Sequence, residues 1–179
     1  MPSLATIIDN LGKAQTGLLR AADAVPADQW SARPGEGRWS ACELVAHLIM
    51  VERSILTAAD KVLQKPPNHV PYLKRFHVPM MLVESRLIRR RSPLPHEPES
   101  RGAKEDLLAE LRDVRERTLA FIEETREKDL SVYRWKHGFL GMLNLYEWFQ
   151  MIASHEVRHT KQMKEIAMNL PKVVANSQK

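Results

Sequence analysis

Residues 153–163 read ASHEVRHTKQM, and the two histidines in this stretch organise the reading of the whole chain. His155 and His159 are separated by four positions, so on a helix they stand one turn apart on one face. Trp148 and Ile152 before them, and Met163 and Ile166 after them, continue that face as an apolar stripe. The helix is predicted to begin at Asn144, an N-cap residue with Glu147 at the third helical position, and to end at Pro171. Imidazoles on a core stripe need partners for their ring nitrogens. A single metal ion can take one nitrogen from each.

A third histidine lies on a second stripe of the same kind. Ser40 followed by Glu43 forms a capping box, and the apolar positions Leu44, Leu48, Val51, Ile55 and Ala58 run behind it. His47 falls on that stripe. The helix is predicted to reach Lys65, where Pro66 and Pro67 stop it. Packed helices can bring the two histidine-bearing faces together, which makes His47, His155 and His159 the candidate metal ligands.

Two more helical patterns complete the set. Residues 3–24 carry Leu4, Ile7, Ile8, Leu11, Leu18, Leu19 and Ala22 at helical spacing, and the loop SARPGEGR follows. Residues 103–126 carry Leu107, Leu108, Leu111, Val114, Leu119, Phe121 and Ile122, with the charged remainder read as a solvated face. The expected fold is therefore all-α, a four-helix bundle in one domain over residues 1–179. Residues 66–101 are expected to form a long irregular crossover between the second and third helices, with a helical segment in HVPMMLVESRLIRRR and a loop in SPLPHEPES. Residues 127–143 are expected to be a shorter connection.

Composition agrees. The chain is 44% hydrophobic and 27% charged, with only seven glycines among 179 residues, as in ordinary globular proteins and with little to favour a sheet. Asp9 and Lys13 interrupt any signal-peptide core, and no apolar run approaches a membrane span. A single cysteine, Cys42, allows no disulfide within the chain, so a cytoplasmic location is expected. The net charge is +5, with a local excess at Arg86, Arg89, Arg90 and Arg91. These arginines lack interleaved aromatics, so nucleic acid is not the expected partner.

Three neutral imidazoles with an open coordination position form a zinc-type catalytic arrangement. They suit Zn, Ni or Fe(II) better than Mg or Ca, and they leave the full +2 charge free to acidify a bound water or thiol. His155, Glu156 and His159 also fit H-E-x-x-H, the zincin metalloprotease motif, with Glu156 as general base. Only twenty residues follow His159 and no strand-rich half precedes the motif, which argues against that reading.

Trp39, Ser40, Glu43, His47 and Leu48, then GMLNLYEW at 141–148, then His155 through His159 with Gln162, resemble the motifs of the DinB-like (DinB/YfiT) superfamily in their order along the chain. The segment Pro66–Arg101 departs from the family pattern. The resemblance implies an up-down-down-up bundle with a histidine triad at one end, holding Zn or Ni, and a homodimer. It also implies relatives that include thiol-dependent S-transferases and maleylpyruvate isomerases. The expected function is that of a metal-dependent S-transferase, in which a low-molecular-weight thiol attacks a small electrophile. A hydrolase using metal-activated water and a non-catalytic metal-binding module are the alternatives.

Other residues have plainer readings beside functional ones. Glu43 can orient His47 or simply cap its helix, with capping the expected role. Gln162 can reach the site or sit at its rim. Glu156 is expected to face solvent or a salt-bridge partner, because one helical step turns it about 100° from His155. Tyr133, Trp135 and His137 can wall a substrate pocket or pack on the bundle end. His69, His77 and His96 are expected at the surface. Cys42 is read as a small apolar residue.

Overall fold

The computed structural model describes residues 3–68, 70 and 102–170. Within them the chain forms α1 (Leu4–Asp23), α2 (Ala41–Leu63), α3 (Lys104–Glu124), a hairpin of β1 (Arg134–His137) and β2 (Gly141–Asn144), and α4 (Leu145–Asn169). The proposed helical segment, the Arg86–Arg91 cluster, His69, His77, His96 and the Pro171 stop lie outside the described residues.

The helix starts follow from their caps. Ser3 accepts from Thr6 N at 3.1 Å at the head of α1. Full capping boxes open α2 (Ser40 with Glu43) and α4 (Asn144 with Glu147), as their sequences predict. Ala103 gives α3 no side-chain cap, and Glu105 and Asp106 in its first turn oppose the helix dipole instead.

Hydrogen bonds between helices fix their directions. Asn10 donates to Gln150 at 3.0 Å, and Gly17 lies against Thr160, so α1 and α4 run parallel. Cys42 Sγ approaches Gly102 O at 3.8 Å while Glu52 meets Arg115, so α2 and α3 run parallel. Gln15 donates to Leu111 O and Arg115 to Leu11 O, so α1 opposes α3. The order is up-down-down-up, as the family resemblance implies. It also explains the long second connection. The end of α2 and the start of α3 lie at opposite ends of two parallel helices, and α2, with 23 residues, is about 34 Å long.

The hairpin is an addition to the all-α expectation for residues 127–143. Arg134 pairs with Asn144 and His137 with Gly141, and Gly141 takes the positive φ of 98° that the turn requires. Each strand has only four residues, too short for alternation to stand out in sequence. A distant residue anchors it. Asn68 Nδ2 donates to Arg134 O at 2.6 Å, and Arg134 N donates to Asn68 Oδ1 at 3.1 Å.

The core has two apolar clusters. Leu18, Leu44, Leu48, Leu111, Met163 and Ile166 belong to one, and Ile7, Leu11, Ile55, Ile122, Trp148 and Ile152 to the other. Between the two clusters Arg115 reaches Glu52, Glu156 and the carbonyl of Leu11, so a buried polar layer separates them.

Candidate metal centre

His47 stands in the second turn of α2, while His155 and His159 lie near the middle of α4. Antiparallel packing of these helices brings the three side chains together. One ligand nitrogen from each falls within 4.8 Å of the others. His155 Nε2 and His159 Nε2 are 3.1 Å apart. Two nitrogens bound at about 2.05 Å to a tetrahedral metal are roughly 3.3 Å apart, so this spacing fits a shared ion. The rings of His47 and His159 are tilted, with centroids 5.2 Å apart, and those of His155 and His159 meet edge-on at 4.5 Å.

Burial keeps all three imidazoles neutral, the form that can ligate. It pushes His47 down to about 4. Burial, with His47, Arg158 and His137 nearby, pushes His155 down to about 3. His159 is held well below the usual imidazole range, first by burial and then by His155, His47 and Arg158. His159 Nδ1 faces Gln162 Oε1 at 3.0 Å. With its Nδ1–H donated there, the ring presents the Nε2 lone pair toward the cluster. Gln162 thus reaches the site as an orienting partner. Trp39 adds a wall, stacked with His159 at 5° between ring planes and 4.9 Å from His47.

Glu43 caps rather than orients. Its carboxylate accepts from Ser40 N at 2.7 Å and from Arg33 Nε at 3.1 Å. Cys42 is fully buried among apolar side chains, as read from sequence. Trp135 stacks on Trp148 at 4.6 Å, and His137 tilts over the same indole at 5.2 Å, so these two residues pack on the bundle.

The solvent-facing alternative for Glu156 is overturned. Glu156 is 1% exposed, and its Oε2 accepts from Arg115 Nη2 at 2.9 Å in the core. Burial raises its carboxyl to about 7 against the lowering effect of Arg115. One step from His155 on α4 still faces the bundle, because α4 packs against both α1 and α2. The same geometry ends the zincin reading, since the carboxylate that motif needs as a base is turned into the core.

Arg115 and Glu52 belong to no sequence motif. Arg115 Nε and Nη2 donate to the two oxygens of Glu52, each at 2.9 Å, and Thr118 Oγ1 donates to Glu52 at 2.6 Å. Glu105, Asp106, Arg112, Glu116 and Arg117 form the exposed face of α3, whereas Arg115, 2% exposed, is one of the most buried charges among the described residues. A signal was present in the spacing. Leu108, Leu111, Arg115, Thr118 and Ile122 follow one another by three or four positions, which puts Arg115 on the apolar stripe.

Among the described residues, no helix is long and apolar enough to cross a membrane. A family model described as the DinB superfamily matches residues 10–163. The uncharacterized protein YuaE of Bacillus subtilis (strain 168) is 28% identical over 135 residues, which cover 75% of this chain and 80% of its own length. No solved structure matches the chain.

Proposed function

We propose, from the premise that the chain belongs to the DinB superfamily, that His47, His155 and His159 hold one divalent transition metal and that the protein is a metal-dependent enzyme of the thiol S-transferase type. The observation that carries this reading is the cluster of three neutral imidazoles, whose ligand nitrogens lie within 4.8 Å of one another. Nitrogen ligands without a carboxylate favour Zn or Ni, with Fe(II) next. A metal there supplies a Lewis acid that lowers the pKa of a small thiol or water placed beside it.

The chain's own residues set the rest. Gln162 holds the tautomer of His159, and Trp39 covers one side of the cluster. The only cysteine, Cys42, is buried away from the histidines, so the nucleophilic sulfur comes from a small molecule rather than from the protein. In the corresponding reaction the thiol gives up its proton to solvent, and its sulfur forms a bond to an electrophilic carbon as that carbon's leaving group departs with the electron pair of the broken bond. A hydrolytic reading needs a carboxylate base, and the acid one turn before His47 and the acid beside His155 are both committed elsewhere. Glu43 is held by Arg33 and Ser40, and Glu156 by Arg115. The working form in this proposal is a cytoplasmic homodimer acting on a small molecule.

The test is elemental analysis of purified protein beside His47→Ala and His155→Ala. About one equivalent of Zn, Ni or Fe is expected in the wild type and none in either variant. A wild type that takes up no metal even after reconstitution would leave the histidines as mere core residues and end the proposal. With metal bound, the cobalt-substituted protein should change its visible spectrum on addition of a small thiol such as cysteine.

A further inference from the structure

We propose that Trp39 sets the substrate class of this centre: its partly exposed indole receives the uncharged apolar substituent of the small thiol, so thiols carrying such a group are preferred over thiols carrying a polar one. The inference deepens the S-transferase reading above and rests on it.

The indole is held in place before α2 begins. Trp39 stands immediately ahead of Ser40, the N-cap of that helix. Ser40 N donates to Glu43 Oε2 at 2.7 Å, Glu43 N donates to Ser40 Oγ at 3.2 Å, and Arg33 Nε donates to the same carboxylate at 3.1 Å. The backbone that carries Trp39 is therefore set by the capping box and needs no ligand to order it. From there the ring reaches side chains of both ligand-bearing helices. Its centroid lies 4.9 Å from that of His47 and 6.2 Å from that of His159, and its plane is within 5° of the His159 ring. Two of the three candidate ligands are thus ring neighbours of one indole.

A tryptophan used only for packing contributes most when it is buried. Trp30 in the same apolar cluster is 2% exposed, whereas Trp39 packs against that cluster and keeps part of its surface in solvent. A hydrophobic staple at this position accounts for the packed side of the ring and not for its open side. His155 is partly exposed as well, while His47 and His159 are buried. The centre therefore meets solvent, and the indole is one of the groups at that boundary. The electron-rich face of an indole disfavours an anionic substituent, and a divalent ion held by neutral imidazoles disfavours a cationic one. An uncharged apolar group is what remains. Covering the open part of the ring with it removes apolar surface from water on both partners.

Titration of the cobalt(II)-substituted protein with benzyl mercaptan and with 2-mercaptoethanol, two thiols of similar acidity, tests the assignment by visible absorption. The wild type should prefer benzyl mercaptan roughly tenfold, which about 55 Å² of apolar surface removed from water supplies. In Trp39→Ala the preference should fall to about twofold or less, with cobalt stoichiometry near that of the wild type. Trp39→Phe should keep most of the preference. A ring with a purely structural role would, on removal, weaken both thiols alike and leave their ratio unchanged. Should the alanine variant fail to fold, Trp39→Gln keeps the length of the side chain, removes its apolar face and gives the same reading. No preference in the wild type, or a preference unchanged by substitution, overturns the role of Trp39 alone. Cobalt uptake with a spectrum that neither thiol changes overturns the S-transferase reading. Wild-type protein that takes up no cobalt overturns the metal centre itself, and this inference falls with either.

Discussion

A histidine placed in a core has to give up its proton, and three placed together have to do so more firmly. Unfolded imidazoles take up protons below about 6.5, whereas folded His47 resists until about 4 and His155 until about 3. Their contribution to stability is present above 6.5 and is lost as pH falls through the folded values. Glu156 works in the opposite sense. Its carboxyl is raised to about 7, so it favours the folded state in acid and loses that contribution as pH rises through 7. Three imidazoles outweigh one carboxyl. Metal-free protein should therefore melt at a lower temperature at pH 5 than at pH 7, with His47 alone accounting for about 2 kcal/mol at pH 5. Scanning calorimetry across that range is the check, and a midpoint that rises toward acid would contradict the assignment.

Both helices that carry candidate ligands begin at full capping boxes, and α3, which carries none, begins without a side-chain cap. The cap of α2 is tied further into its surroundings. Glu43 is 3% exposed and is held below the usual carboxylate range. Burial opposes this, and its hydrogen bonds to Arg33 and Ser40 prevail. Removing the Ser40 hydroxyl frees the N–H of Glu43 in a buried place. Ser40→Ala should cost about 1–2 kcal/mol in urea denaturation, the upper part of the range for exposed caps. An effect of a few tenths would mean that the backbone finds another acceptor there. The hairpin belongs to this scale as well. Its four-residue strands stay paired through Asn68 at one end and the His137 turn at the other, contacts that neither strand carries in its own sequence.

One guanidinium joins all four helices. Arg115 on α3 donates to Leu11 O on α1 at 2.6 Å, to Glu52 on α2, and to Glu156 on α4. Burial lowers the basicity of Arg115, but the carboxylates of Glu52 and Glu156 more than compensate and raise it overall. Glu52 lies five residues beyond His47, and Glu156 lies between His155 and His159, so the same clamp fixes both ligand-bearing helices. Arg115→Met should cost about 3–5 kcal/mol, because it leaves two acids buried without a cation. Replacing Glu52, Arg115 and Glu156 together with methionine should recover most of that loss, since a filled apolar layer needs no counter-charge. Equilibrium denaturation of the two variants decides the point. Equal losses in the single and triple variants would show that packing, not charge, dominates this layer.

The helices, their starts and the three histidines were legible because each is encoded locally. Periodicity places a stripe, a cap marks a start, and residues four apart share a face whatever surrounds them. The sequence therefore determined a four-helix bundle in which His155 and His159 stand together and His47 lies on a second core stripe. Tertiary structure decided which faces met. It turned Glu156 inward, because α4 is covered on two sides. It placed Arg115 at the centre of a polar layer, and it laid His137 over Trp148 through a hairpin anchored by Asn68. Those outcomes depend on contacts between residues far apart in the chain, and a burial or hydrogen bond made across such distances leaves no fixed spacing in the sequence to read.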